Sequence, residues 1–374
     1  LTFMEKDCTK QHLPQHLLRL VFYLLIFIPN TSKALANPRP SNNSAPAVIV
    51  FGDSTVDPGN NNYVKTVFKA NFAPYGKDFA NHVPTGRFSN GRLTPDFIAS
   101  YIGIKESIPP YLDPTLSIKE LMTGVSFASA GSGFDPLTPR VSNVIDIPKQ
   151  LEYFKEYKRR LESAIGRKKT ENHINKALFI VSAGTNDFVI NYFTLPIRRK
   201  TYSVSGYQQF ILQTATQFLQ DLFEQGARRI LFTALPPMGC LPVVITLFSN
   251  QAISERGCLD YFSSVGRQFN QLLQNELNLM QIRLANQGVR IYLTDAYSAL
   301  TGMIQGQGRS AFDEVSRGCC GTGYLEASLL CNPKSFLCPD ASKYVFWDSI
   351  HPTEQAYNNV FKSIRPIIDA IIRG

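Results

Sequence analysis

The chain reads Ala47-Val48-Ile49-Val50-Phe51-Gly52-Asp53-Ser54 at the point where a short apolar run ends in a glycine and two polar residues. An apolar run of this length, closed by glycine, is typical of a strand buried within a sheet. In a parallel sheet, a strand of this kind is followed by a helix after its carboxyl end. We therefore predict a buried strand with Asp53 and Ser54 at its exit.

Four later stretches repeat this pattern, and longer segments with helical periodicity separate them. One segment places apolar residues on a single helix face between 207 and 223, with Gly226 to close the helix. A second helix is predicted over about 259–286, before Gly288. Strands that alternate with helices predict a parallel sheet with helices on both faces, here as a single α/β domain over residues 46–374. The four apolar runs are 124–128, 177–182, 229–234 and 289–294.

Polar or glycine-rich residues follow the first three runs. Asp53 and Ser54 follow the first, Ser129 and Gly131 the second, and Gly184-Thr185-Asn186-Asp187 the third. The carboxyl ends of parallel strands lie on one edge of a sheet, where ligands bind. We expect these residues to converge on one cleft.

A second polar motif, Asp348-Ser349-Ile350-His351-Pro352, precedes an amphipathic stretch near the C-terminus. Aspartate and histidine three residues apart can point to the same side. This spacing suits a carboxylate that holds an imidazole in the form that accepts a proton from a serine. After residue 36 the other histidines are His82 and His173, and the charged neighbours of His173 predict an exposed side chain.

Ser54 alone has two interpretations. A serine at a turn commonly caps the following helix. The same position also exposes the hydroxyl beside a backbone N–H, where the positive end of a helix can stabilise an oxyanion. Neither interpretation is excluded by Ser54 itself.

The motifs together resemble a known family. Their order and residues are similar to those of the SGNH hydrolase superfamily, and of its plant GDSL esterase/lipase branch in particular. The resemblance extends over about residues 48–367 of the chain. The segments that carry it are Phe51-Gly52-Asp53-Ser54, residues 85–92, residues 124–133, Gly184-Thr185-Asn186-Asp187, residues 235–240 and Asp348-Ser349-Ile350-His351-Pro352.

The resemblance implies a three-layer α/β/α sandwich with a flavodoxin-like parallel sheet. It assigns Ser54 as the nucleophile, His351 as the base and Asp348 as the group that orients His351. The oxyanion hole would consist of the N–H of Ser54, the N–H of Gly131 and the side-chain amide of Asn186. Relatives often carry two glycines where this chain has Ala130-Gly131, which leaves Gly131 as the match.

Three functions are compatible with these residues. The first is hydrolysis of carboxylic esters, from lipid or cell wall, through an acyl-enzyme on Ser54. The second is acyl transfer to an alcohol with the same residues, and the third is a non-catalytic binding protein. The chain has no G-x-S-x-G, Walker A or H-E-x-x-H pattern, so we expect neither an ordinary α/β-hydrolase nor a cofactor or metal.

The N-terminal residues predict export from the cell. Residues 1–36 resemble a secretory signal peptide, with cations before the apolar run 20–28 and Ala34-Leu35-Ala36 as a cleavage pattern. Residues 37–45 predict a flexible leader that holds an N-x-S glycosylation site at Asn42. We therefore expect a secreted, extracellular protein.

Six cysteines follow the predicted signal peptide, and an even number in an exported chain predicts disulfides. Fifteen pairings are open, although adjacent Cys319 and Cys320 are not expected to bond to each other. The remaining charge is basic, which permits weak attraction to acidic polymers or anionic membrane surfaces. No pattern points to nucleic acid, an obligatory membrane or an oligomer.

Overall fold

The computed structural model describes residues 45–307 and 312–373. The predicted signal peptide, the Asn42 site and all but the last residue of the leader lie outside these residues. No helix in the described ranges combines the length and apolar character needed to cross a membrane.

Four parallel strands form the central sheet in the order β1-β2-β3-β4. They correspond to four of the five predicted apolar runs, and each begins and ends within one residue of the prediction. The strands are β1 (Val48–Gly52), β2 (Leu178–Ser182), β3 (Arg229–Thr233) and β4 (Arg290–Thr294).

The fifth run, 124–128, was expected to be a strand but pairs with β1 without forming a regular one. The N–H of Val50 donates to the Val125 carbonyl at 3.1 Å, and the N–H of Phe127 donates to the Val50 carbonyl at 2.8 Å. On its outer side the Asn60 amide bonds to the carbonyls of Ser126 and Ala128. Backbone pairing on that side is an isolated bridge, in which the Tyr111 N–H donates to the Ser126 carbonyl at 2.9 Å. Counted with this segment, the order is the flavodoxin-like 2-1-3-4-5.

Ten α-helices surround the sheet within the described residues. The two helices predicted from periodicity are present as α6 and α8, and Gly226 and Gly288 follow them with positive φ angles. A small second sheet pairs β5 (Glu314–Gly318) with β6 (Tyr344–Phe346). The helices are α1 (Thr94–Tyr101), α2 (Ile118–Leu121), α3 (Leu137–Ser142), α4 (Ile147–Ile165), α5 (Arg167–Lys176), α6 (Val204–Glu224), α7 (Pro242–Phe248), α8 (Asp260–Arg283), α9 (Ala296–Ile304) and α10 (Glu354–Arg373).

The alternation of side chains along β1 divides the core into two layers. Phe51 faces α4 and α6, where its ring contacts Phe154 and Phe218 at 5.6 and 5.5 Å. Val50 belongs to the opposite layer, which packs against α1 and α10 and includes Phe361. Helices therefore cover both faces of the sheet, which confirms the predicted three-layer α/β/α sandwich.

The chain after β1 differs from the prediction. No helix begins at Ser54; residues 53–59 form turns that lead into a short 3₁₀ helix, Asn60–Tyr63. The Asp57 carboxylate accepts the N–H groups of Gly59 and Asn60 at 2.8 and 2.7 Å, which stabilises a turn in place of a helix. A helix dipole therefore does not act on Ser54.

Three disulfides join the six cysteines of the described residues: Cys240–Cys258, Cys319–Cys338 and Cys320–Cys331. Cys319 and Cys320 are not bonded to each other, as predicted. The last two disulfides close loops within the segment 319–338, and the Cys319 N–H donates to the Phe346 carbonyl of β6 at 3.0 Å.

Candidate active site

Ser54, His351 and Asp348 form one hydrogen-bonded chain at the carboxyl edge of the sheet. His351 Nε2 lies 2.8 Å from Ser54 Oγ, and His351 Nδ1 lies 2.7 Å from Asp348 Oδ2. Because the carboxylate accepts from Nδ1, the neutral imidazole presents Nε2 as an acceptor to the serine hydroxyl. Asp348 is fully buried, whereas Ser54 is 7% exposed. The serine hydroxyl is therefore the slightly accessible end of this hydrogen-bonded series.

The turn that carries His351 is built around the Asp348 carboxylate. Asp348 Oδ1 accepts the N–H groups of Ile350 and His351 at 2.9 and 2.8 Å. These bonds explain how Asp348 and His351 reach the same side while both lie before α10 rather than within it. The three-residue spacing thus brings the two side chains together because the Asp348 carboxylate stabilises a turn, and not because both residues lie on one helix face.

Tyr75 is a partner of Asp348 that the sequence did not reveal. Its hydroxyl donates to Asp348 Oδ2 at 2.8 Å and accepts the Ser328 N–H at 2.8 Å. Burial, and secondarily the neighbouring Asp348, raise the pKa of Tyr75 well above its ordinary value, so the phenol stays a donor. Ser328 lies inside the loop closed by Cys320–Cys331, so this disulfide supports the aspartate through Tyr75.

Tyr75→Phe is expected to lower kcat about 3- to 10-fold with KM unchanged. The variant removes one hydrogen bond to a buried carboxylate but keeps the ring packed, and Tyr75 is placed to act through Asp348. Steady-state kinetics on p-nitrophenyl acetate measures the effect. Tyr157→Phe is the matched control, because its buried hydroxyl donates to the Leu121 carbonyl instead; equal losses in both variants would contradict the assigned role of Tyr75.

The turn at Ser54 depends on Gly52 at the end of β1. Gly52 has a φ of +142°, and a Cβ there would lie 1.9 Å from the Ser182 carbonyl oxygen. Its N–H donates to Gln150 Oε1 and its carbonyl accepts from Gln150 Nε2, both at 2.9 Å. Gln150, which belongs to helix α4, thereby fixes the backbone at the end of β1. A glutamine 98 residues away gave no signal in the sequence.

Two backbone N–H groups and the Asn186 side-chain amide are candidate hydrogen-bond donors for an oxyanion at Ser54. Within the described residues the N–H groups of Ser54 and Gly131 donate no hydrogen bond to the protein. The neighbouring Ala130 N–H is engaged by Asp57 Oδ2 at 2.9 Å, which singles out Gly131. One N–H of Asn186 Nδ2 donates to the Ser132 carbonyl at 2.9 Å. Its second N–H is available to donate to an oxyanion.

The Asp187 carboxylate binds the backbone of the segment that follows Gly131. Its Oδ2 accepts the Phe134 N–H at 2.8 Å, and its Oδ1 accepts the Asp135 N–H at 3.1 Å. Burial raises the pKa of the Asp187 carboxyl to about 7, and these hydrogen bonds oppose the rise. The segments after β1, after residue 128 and after β2 therefore meet in one place, as the sequence predicted.

Asp53 orders the residue after the serine. Its Oδ1 accepts the N–H and the hydroxyl of Thr55 at 3.0 and 2.8 Å. Burial raises the pKa of Asp53 to about 6, while both bonds from Thr55 lower it. Asp53 therefore stabilises the turn and does not contact His351 through a hydrogen bond.

His173 differs from the prediction, because it is buried rather than exposed. It lies on the inner face of α5, and burial lowers the pKa of its imidazole. Its charged neighbours project from the other face of the same helix, which misled the prediction. Among the described residues, no group of His, Cys, Asp and Glu side chains is arranged to hold a metal ion.

Comparison with known proteins identifies the family of this chain. The family model for GDSL-like lipase/acylhydrolase matches residues 48–364. In Arabidopsis thaliana, GDSL esterase/lipase At5g45960 is 61% identical over 329 residues, which cover 88% of each chain. GDSL esterase/lipase At1g06990 is 48% identical over 83% of this chain and 86% of its own. The chain belongs to the plant GDSL esterase/lipase family.

Proposed function

We propose that this carboxylic ester hydrolase acts through an acyl-enzyme on Ser54, with His351 as the general base and Asp348 as its orienting group. The observation that carries the proposal is the continuous hydrogen-bonded chain from Ser54 Oγ through the imidazole to Asp348. An ester requires an activated nucleophile and donors for the developing negative charge. The proposal assigns these two roles to Ser54 and to the N–H groups of Ser54, Gly131 and Asn186.

In the first half-reaction Ser54 Oγ attacks the ester carbonyl carbon, and its proton passes to His351 Nε2. The carbonyl oxygen becomes an oxyanion that accepts hydrogen bonds from the free N–H groups of Ser54 and Gly131 and from Asn186 Nδ2. Collapse breaks the bond to the alcohol oxygen, which takes the proton from His351. Asp348 stabilises the transient imidazolium.

In the second half-reaction water replaces the alcohol. Its oxygen bonds to the acyl carbon while one proton passes to His351 Nε2. The bond from that carbon to Ser54 Oγ then breaks, and Ser54 recovers its proton from His351. The products are the free acid and the unmodified enzyme.

A partition experiment tests the acyl-enzyme. Phenyl acetate and p-nitrophenyl acetate are hydrolysed with methanol present, and the ratio of methyl acetate to acetic acid is measured. A shared acyl-enzyme has lost its leaving group, so both substrates should give one ratio. Ratios that depend on the leaving group would indicate direct attack by water and contradict the proposal.

Asn186→Ala is expected to lower kcat about 100- to 1000-fold, because one oxyanion donor is lost. The effect on KM should be small, since the developing charge exists only in the transition state. Steady-state kinetics on p-nitrophenyl esters measures both constants. A kcat within threefold of the parent enzyme would remove Asn186 from the oxyanion hole.

The same proposal includes export to the cell exterior. All six cysteines of the described residues are paired in disulfides, which persist in oxidising compartments. The predicted signal peptide over residues 1–36 supports this location.

A further inference from the structure

A narrow cavity opens at Ser54 and extends between the sheet and the helices α1 and α10. Ser54 and Asn186 form part of its wall at one end. Its volume is about 90 Å³, room for roughly six to nine water molecules at about 10–15 Å³ each. The cavity therefore begins at the candidate nucleophile and continues into the second core layer.

The wall of the cavity is mostly aliphatic. Its polar side chains include Ser182 and Thr55, whose hydroxyls bond to each other at 2.8 Å. Aliphatic side chains come from α1, β2, β3 and α10: Ile98, Ile180, Leu231 and Ile364. Of the residues of α10 that line the cavity, Ile364 lies farthest along the helix from His351.

The depth of the cavity follows from helix geometry. Tyr357 and Ile364 both line it, and seven residues at about 1.5 Å each separate them by roughly 10 Å along α10. Each C–C bond of about 1.5 Å advances an extended alkyl chain by roughly 1.3 Å, so about eight carbons span this depth. Water in the deep part would find few polar partners, whereas methylene groups would be stabilised there.

The position of His351 decides which half of an ester enters. The leaving alcohol must take its proton from His351 Nε2. Among the described residues His351 itself does not line the cavity, although Ile350 and Pro352 beside it do. The acyl half must instead stay bonded to Ser54, which does form part of the wall. An acyl chain attached to Ser54 can therefore extend inward while the alcohol leaves from the imidazole side.

We propose that this cavity is the acyl-chain site and that it selects esters of unbranched aliphatic acids of about eight carbons. This inference rests on the acyl-enzyme proposed above and specifies its substrate class. Each methylene that enters the cavity should raise kcat/KM roughly fourfold until the deep wall is reached.

The test compares p-nitrophenyl esters from acetate to laurate. The parent enzyme should show kcat/KM rising to about octanoate and then levelling or falling. Ile364→Phe fills the deep end and should lower kcat/KM for octanoate at least tenfold, with acetate within twofold. Ile364→Ala lengthens the site and should move the optimum to longer chains. Ile368→Phe is the matched control, because Ile368 is buried one turn farther along α10 and does not line the cavity.

A second measurement keeps the inference independent of catalysis. Binding of octanoic acid, followed by saturation-transfer NMR, should be lost in Ile364→Phe and kept in Ile368→Phe and in Ser54→Ala. An unchanged chain-length profile and unchanged binding in folded Ile364→Phe would overturn the acyl-chain site while leaving ester hydrolysis in place. Methanol partition ratios that depend on the leaving group, with octanoic acid bound by the parent enzyme and not by Ile364→Phe, would instead contradict the acyl-enzyme and leave the cavity as a binding site for the alkyl chain.

Discussion

Ser54→Ala is expected to lower kcat on p-nitrophenyl acetate by about 10⁴- to 10⁶-fold, because it removes the hydroxyl that is bonded to His351 Nε2. The change removes one oxygen and its hydrogen bond to His351, so the fold should persist. Catalysis that remains would come from direct attack of water on the ester, with the oxyanion donors still stabilising the developing charge. Steady-state kinetics on purified enzyme measures the loss.

The control for Ser54→Ala is its thermal unfolding. A melting temperature close to that of the parent, together with lost activity, assigns the effect to chemistry. Hydrolysis within tenfold of the parent rate would contradict the role of Ser54 as nucleophile.

His351→Ala should cause a loss of similar size, since Ser54 then has no base to take its proton. Residues that act as one unit give non-additive losses, so Ser54→Ala combined with His351→Ala should be about as inactive as either single variant. Kinetics of the three variants on one ester tests this.

His82→Ala is the matched control for the histidine, because His82 is exposed and outside the cleft. It should retain parental activity. If His351→Ala kept substantial activity, or if the double variant showed the product of two independent losses, the shared role of Ser54 and His351 would be wrong.

The sequence predicted the sheet and the convergence of the segments that hold Ser54, Gly131 and Asn186 because those features depend on local patterns. His351 was assigned from its spacing to Asp348 and from the family resemblance. Short apolar runs mark buried parallel strands, and parallel strands bring their carboxyl ends to one edge. The segment 124–128 shows the limit of this reasoning. Its apolar pattern is that of a strand, but on its outer side the Asn60 amide bonds to two of its carbonyls and the backbone forms an isolated bridge at Ser126.

The supporting contacts could not be predicted, because they join residues far apart in the chain. Gln150 lies 98 residues from Gly52, and Tyr75 lies 273 residues from Asp348. No spacing rule connects such pairs. The cavity at Ser54 could not be predicted either, since its wall combines residues of several helices and strands, among them α1, α9, α10, β2 and β3, whose apolar side chains gave only a core pattern in the sequence.

Labelling with a fluorophosphonate tests the central claim most directly. The reagent phosphonylates an activated serine, and peptide mapping by mass spectrometry locates the modified residue. The account predicts one equivalent of label on Ser54, with none in Ser54→Ala and a large fall in labelling rate in His351→Ala. A folded, esterolytic protein that takes up no label, or takes it up at another serine, would contradict the account.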